Sequence, residues 1–200
     1  MAAVCLSTST VAVPGLAHLN VAPALADAFQ ADDKSFDLSL PAAWSFDDED
    51  ARRPPPELFR LTAARGGSSV RIVVTVTLGK YGKSLAELGS AEAAVARVLL
   101  PNEALESAER VPGKVRGSSY YLGRYTDGAR RGIVKLGVQQ DRLYALRAVA
   151  EARELSNGAS GASLQADIDT IVSSFSAFPI NFICMGQSNA GKVPVAGSCY

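Results

Sequence analysis

Histidine is nearly absent from this sequence: the one copy, His18, lies in an N-terminal stretch expected to be removed. A serine or cysteine nucleophile needs an adjacent general base, most often histidine, so a Ser-His or Cys-His relay is excluded from the mature chain. The usual acid-base group near neutral pH and the commonest metal ligand go with it. Cysteine is scarce as well. Cys5, Cys184 and Cys199 are the only three, and two cysteines without histidine fall short of the four-ligand set of a structural zinc site. Neither sign of charge is in surplus, since 20 Lys and Arg face 20 Asp and Glu. Without a basic excess, nucleic acid is not an expected partner. Beyond the N-terminal stretch no run approaches the ~18 to 20 apolar residues of a membrane-spanning helix, so the mature protein is expected to be soluble, and any association with a membrane peripheral rather than spanning. Gly66-Gly67 and Gly158 with Gly161 lack the strand, loop and helix setting of a phosphate-binding fingerprint. No Ser-Lys or paired-carboxylate motif stands out either, and a non-catalytic protein is expected.

What is present suits one globular domain with ends to spare: 200 residues, 48% of them hydrophobic. Residues 1–26 contain no Lys, Arg, Asp or Glu and close on Ala24-Leu25-Ala26. An A-x-A ending after an apolar stretch is what a signal-type peptidase accepts, so 1–26 reads as a targeting segment cut before Asp27. It has no basic n-region, which leaves two alternatives open: a start internal to a longer transit peptide, or an apolar terminus that is retained. Residues 27–178 form the expected domain and 179–200 a C-terminal extension rich in Gly, Asn and Pro.

Within the domain, Phe36, Leu38 and Leu40 alternate with polar residues, as in a strand with one buried face. Ser45 to Pro56, SFDDEDARRPPP, is charged and then proline-rich, and is expected as an exposed excursion. A strand over about 56–63, the turn Arg65-Gly66-Gly67-Ser68 and the alternation Val70, Ile72, Val74, Val76, Leu78 predict a hairpin. Ser84 with Glu87 fits a capping box. Ser90 then starts a helix whose Ala94, Val95, Val98 and Leu99 form one stripe, stopped by Pro101. Four strands at about 106–115, 118–125, 130–138 and 142–150, joined by short polar turns, predict an antiparallel meander. SNGASGAS (156–163) is expected as a flexible loop, with Ser163 capping a helix whose Leu164, Ile168, Ile171, Val172 and Phe175 face the sheet. The fold class is α+β, an antiparallel sheet flanked by helices.

The order of these pieces carries a resemblance. FDLSLPAAW (36–44), SLAELGS (84–90), YYLGRY (120–125), DRLYALRAVAE (141–151) and LQADIDTIVSSFSAF (164–178) together resemble the PsbP family of thylakoid-lumen proteins. The resemblance implies an α-β-α sandwich in the chloroplast thylakoid lumen. It implies association with photosystem II at its oxygen-evolving side, where the best-known member supports calcium and chloride retention, or with another thylakoid membrane complex or photosystem assembly. Family members often carry a histidine after the arginine of one strand. This chain has Arg130-Arg131-Gly132-Ile133 there, so no metal or redox proposal needing that histidine transfers, and a divergent role is favoured.

On this reading the protein acts by docking. The candidate surface combines the acidic-then-basic loop, with Asp47, Asp48, Asp50, Arg52 and Arg53, and a basic strand pair with Arg124, Arg130, Arg131 and Lys135. Asp47 to Asp50 supply carboxylates of the kind calcium takes, but the run lacks the alternating ligands and central glycine of an EF-hand and reads as a solvated loop. No firmly bound cofactor is expected, and calcium association is implied by the resemblance alone. Cys184 and Cys199 enclose fourteen residues. A disulfide there would stabilise by ~3 kcal/mol in the chain-entropy model, and two free thiols are the alternative. Trp44 is expected to be structural, covering the sheet end. Two rivals stand: a small-GTPase-binding or other interaction module, since Ran-binding proteins share a similar sandwich, and a lumenal enzyme of unknown mechanism.

Overall fold

The computed structural model describes residues 25–31, 33–47, 53–115 and 117–179. Two antiparallel sheets and three α-helices account for most of them. The large sheet has seven strands in the order β3-β4-β5-β9-β8-β7-β6: β3 (Trp44–Asp47), β4 (Glu57–Arg65), β5 (Arg71–Leu78), β6 (Ala104–Pro112), β7 (Ser119–Asp127), β8 (Arg130–Gln139) and β9 (Arg142–Glu151). The β6 to β9 meander and the β4-β5 hairpin are as expected from their polar turns. The small sheet pairs β1 (Leu25–Gln30), β2 (Phe36–Pro41) and the two-residue β10 (Ser176–Ala177), with β2 central. The opening strand, β2, therefore leads a sheet of its own and does not join the large one. β1 runs across the boundary expected at Asp27.

Alternation along the strands sorts the side chains onto two faces. Leu61 and Ala63 of β4, Ile72, Val74 and Val76 of β5, and Tyr144, Leu146 and Ala148 of β9 are buried on one face. There they meet the small sheet and α3 (Gly158–Ser174). Phe36 lies edge-on to Phe59 with centroids 5.2 Å apart, and Phe29 packs 5.4 Å from Phe46. Each fully buried Leu, Ile or Phe of this layer contributes about 1.5–3 kcal/mol. The other face buries Tyr125, Val134, Leu136 and Val138 beneath a short 3-10 helix (Leu85–Leu88) and α1 (Ala91–Ala96). Helices thus cover both faces of the sheet, over different stretches.

α3 forms as its apolar spacing predicts, with Leu164, Ile168, Ile171 and Val172 buried and Phe175 capping its end. It begins earlier than expected. SNGASGAS is helical from Gly158, and α2 (Ala152–Leu155) precedes it. A Cβ on Gly161 would lie 2.3 Å from the Leu155 carbonyl oxygen, so the glycine permits α3 to cross α2 closely. Burial of the lower helix overrides the weak helical propensity of Ser and Gly at its start. α1 is shorter than its stripe predicts. Ser90 caps it, its Oγ accepting from the Ala93 N–H at 3.2 Å, but it ends at Ala96, with Val98 and Leu99 packing from the turn that follows. The expected capping box at Ser84 is also altered: Glu87 accepts from the Lys83 N–H at 2.9 Å, and Ser84 makes no side-chain bond to a backbone N–H of that helix. β3 corrects a further expectation, because Trp44 to Asp47 pair with β4 rather than opening the excursion.

Candidate functional site

Four positions from the expected docking surface, Asp47, Arg124, Arg130 and Arg131, are exposed or part-exposed, but they do not form one patch. β7 and β8 pair with Arg124 opposite Ile133 and Arg131 opposite Thr126, which places both arginines on the α3 face. They line a recess of about 140 Å³ whose floor includes Gly132, Ala148 and Ala150 and whose α3 wall carries Gln165 and Ile168. Ala148 and Ala150 keep part of that floor low, Ile133 stands beside them, and Gly132 contributes backbone alone. A Cβ on Gly132 would meet the Tyr125 ring at 2.2 Å from the other side of the sheet. Neither guanidinium has a hydrogen bond or ion pair to any described residue, and Glu106 is the only acid lining the recess.

Arg130 points the opposite way. It is ion-paired with Asp127 and borders a second, larger cleft of about 680 Å³ on the part of the sheet that α1 leaves open. Val73, Thr75 and Thr77 of β5 with Leu143 and Ala145 of β9 form its floor, and Leu100, 54% exposed, stands at its wall. Arg147 fixes that wall. Its guanidinium donates 3.1 Å to the Val98 carbonyl and 3.1 Å to the Tyr125 hydroxyl, pairs with Glu103, and lies 5.2 Å from the Tyr125 ring centroid. Burial pushes the Tyr125 hydroxyl up in pKa, while Arg147 pulls it back. At the far end Arg60 is held by Glu57 at 2.7 Å, which lowers the Glu57 pKa.

Lys135 is buried rather than displayed with the exposed arginines. It is 5% exposed, and its Nζ donates 2.8 Å to the Val172 carbonyl and 2.9 Å to that of Phe175, 4.6 Å from the Tyr120 ring centroid. The sequence placed it with the exposed arginines because it shares their strand. Its face, however, lies beneath the end of α3, whose last carbonyls have no helical partners and attract positive charge. Burial, with Lys114 nearby, brings the Lys135 pKa down to about 8 against the pull of Asp37. Lys114 itself reaches the Ser174 carbonyl at 3.0 Å. Asp37 is pushed above the ordinary carboxylate range by burial, and its Oδ1 has no hydrogen-bond partner among the described residues.

Of the acidic loop, Asp47 ends β3 and is exposed, and Arg53 is exposed with its N–H donating 3.1 Å to the Leu58 carbonyl. Asp48, Asp50 and Arg52 lie outside the described residues, as do Cys184 and Cys199. The described residues contain no group of three or more His, Cys, Asp or Glu placed to hold a metal ion. None of their helices is long and apolar enough to cross a membrane. Trp44 is structural: its Nε1–H donates 3.2 Å to Asp167 of α3, which also meets Arg65 at 3.3 Å. Sequence reasoning missed Arg147 and Glu103. The signal for Arg147 was a charge in the middle of strand β9, between Leu146 and Ala148.

No family model matches the chain, and neither does any curated protein. Among solved structures, the solution structure of cyanobacterial PsbP (CyanoP) from Synechocystis aligns with a TM-score of 0.58 at 16% identity, over 80% of this chain and 96% of that one. The Ran-binding protein Mog1p of Saccharomyces cerevisiae aligns with a TM-score of 0.48 at 10% identity, over 78% and 97%. The chain is an α+β protein of the sandwich class. Its fold is that of PsbP.

Proposed function

We propose that this chain is a non-catalytic, PsbP-like protein of the chloroplast thylakoid lumen that docks onto a photosynthetic membrane complex, at the oxygen-evolving side of photosystem II or during photosystem assembly. The observation that carries this reading is the PsbP fold spanning 80% of the chain, in the order the sequence motifs imply. Two further features support it. A chain without histidine after residue 18 lacks the commonest acid-base group near neutral pH, and the exposed arginines of β7 and β8 are of a kind enriched where proteins meet.

The test is native electrophoresis of thylakoids that carry the tagged full chain. The protein should migrate with a photosystem complex at physiological ionic strength. It should leave that complex near 1 M salt, where the Debye length falls to about 3 Å and surface ion pairs are screened. A free monomer in low salt, or a fluorescent fusion outside the chloroplast, would overturn the reading.

A further inference from the structure

The arginines of this protein divide by what they already hold. In the larger cleft Arg60, Arg130 and Arg147 each carry a carboxylate, from Glu57, Asp127 and Glu103, while Arg71 lines the same cleft without one among the described residues. Lys135 is spent on two carbonyls at the end of α3. Arg124 and Arg131 hold nothing among the described residues, although they are diagonal neighbours on paired strands, where Cα atoms stand about 7 to 8 Å apart. Between them lies the 140 Å³ recess, too small for a folded element and floored by Ile133, Ala148 and Ala150. Two guanidiniums to one glutamate give its rim a net positive charge. A planar, delocalised cation suits a carboxylate, which it can bind through paired N–H donors.

We propose that this recess receives an aspartate or glutamate side chain of a partner polypeptide, with Arg124 and Arg131 holding its carboxylate and Gln165 at the lip. The rim sits where α3 meets the sheet, within reach of an acidic residue on a protruding loop of the partner. The inference rests on the docking reading only in taking the partner to be a protein.

The test is an NMR titration of the purified, ¹⁵N-labelled full chain with a synthetic Gly-Glu-Glu-Glu-Gly peptide, its Gly-Gln-Gln-Gln-Gly counterpart, and inorganic phosphate. The acidic peptide should shift the Arg124 and Arg131 Nε–H signals and the Gly132 amide, and the glutamine peptide should not. Arg124→Gln with Arg131→Gln should weaken binding about tenfold or more, since charge-assisted bonds are lost. Glu106→Gln, which removes the one opposing charge, should strengthen it about two- to fivefold. Lys80→Gln with Arg97→Gln removes the same two charges elsewhere and should leave it unchanged. Equal weakening by that control pair, equal binding of the two peptides, or phosphate binding as tightly as the acidic peptide would each overturn the proposal. Because no thylakoids are used, failure here leaves the photosystem reading standing, and failure of native electrophoresis leaves the recess to be judged by this titration alone.

Discussion

The ammonium of Lys135 lies 2.8 Å from the carbonyl oxygen of Val172, so a residue from the middle of β8 closes the far end of α3. A second bond, 2.9 Å to Phe175, spreads the same charge over two carbonyls that the helix cannot satisfy itself. Tyr120 completes the contact by accepting from the Ala177 N–H at 2.8 Å, which holds β10 beside the lysine. One buried amine thus joins the large sheet, the helix and the short strand that completes the small sheet.

That arrangement sets a pH dependence. Burial brings the folded pKa of Lys135 to about 8 from 10.5, so between those values the unfolded chain holds more protons and stability rises with pH. The gain is absent below pH 8 and complete near 10.5, with an upper size of about 3 kcal/mol. Lys114, Asp37 and Tyr120 face the same group. The buried hydroxyls of Tyr120, Tyr125 and Tyr144, raised by burial, oppose the gain above pH 10. Urea unfolding from pH 7 to 10 should show a rising stability that Lys135→Met flattens. An unchanged slope in the variant would refute the assignment.

Arg147 and Glu103 make a pair whose halves should be worth more than the whole. The Glu103 side chain is only 5% exposed. Arg147→Met therefore leaves a buried carboxylate held, among the described residues, by the Leu100 N–H alone, at 2.7 Å, and should cost about 3 kcal/mol. Arg147→Met combined with Glu103→Leu removes both charges and should recover most of that loss, as judged by denaturant midpoints at pH 7. If the double variant is as unstable as the single one, the pair is not electrostatically coupled.

Gly132 has no room for a methyl group, because the Tyr125 ring lies 2.2 Å from where Cβ would be. Gly132→Ala should lower stability by about 1–3 kcal/mol through overpacking. In a Tyr125→Ala background the same change should be nearly free, a non-additivity that thermal unfolding can read. Additive losses would mean that the strain arises elsewhere.

Much of this architecture can be read from residue order. The alternation from Val70 to Leu78 defines β5, the polar turns define the meander, and the 3.6-residue stripe from Leu164 defines the buried side of α3. The misreadings have local causes. SNGASGAS looks like a loop by composition, and only its packing on α2 through Gly161 makes it helical. Trp44 to Asp47 seem to leave the fold because the charges begin there, yet β4 supplies their hydrogen-bond partners.

The site was legible in part. Proximity in sequence grouped Arg124, Arg130, Arg131 and Lys135, but strand geometry sends Arg130 to one face and Arg131 to the other. Lys135 shares a face with Arg131 and still differs from it in role, because the end of α3 covers the later position. No pattern in the strand itself announces that cover.

The central seam of the large sheet is also its least local one. β5 and β9 join residues as far apart as Arg71 and Val149, a separation of 149 − 71 = 78 positions, whereas β3 to β5 and β6 to β9 each pair with their neighbours along the chain. Closing such a span costs chain entropy before any contact rewards it. The two meanders are therefore the units expected to assemble early. The ladder between Val74 and Leu146, deepest in the finished protein, is the stitch that makes them one body.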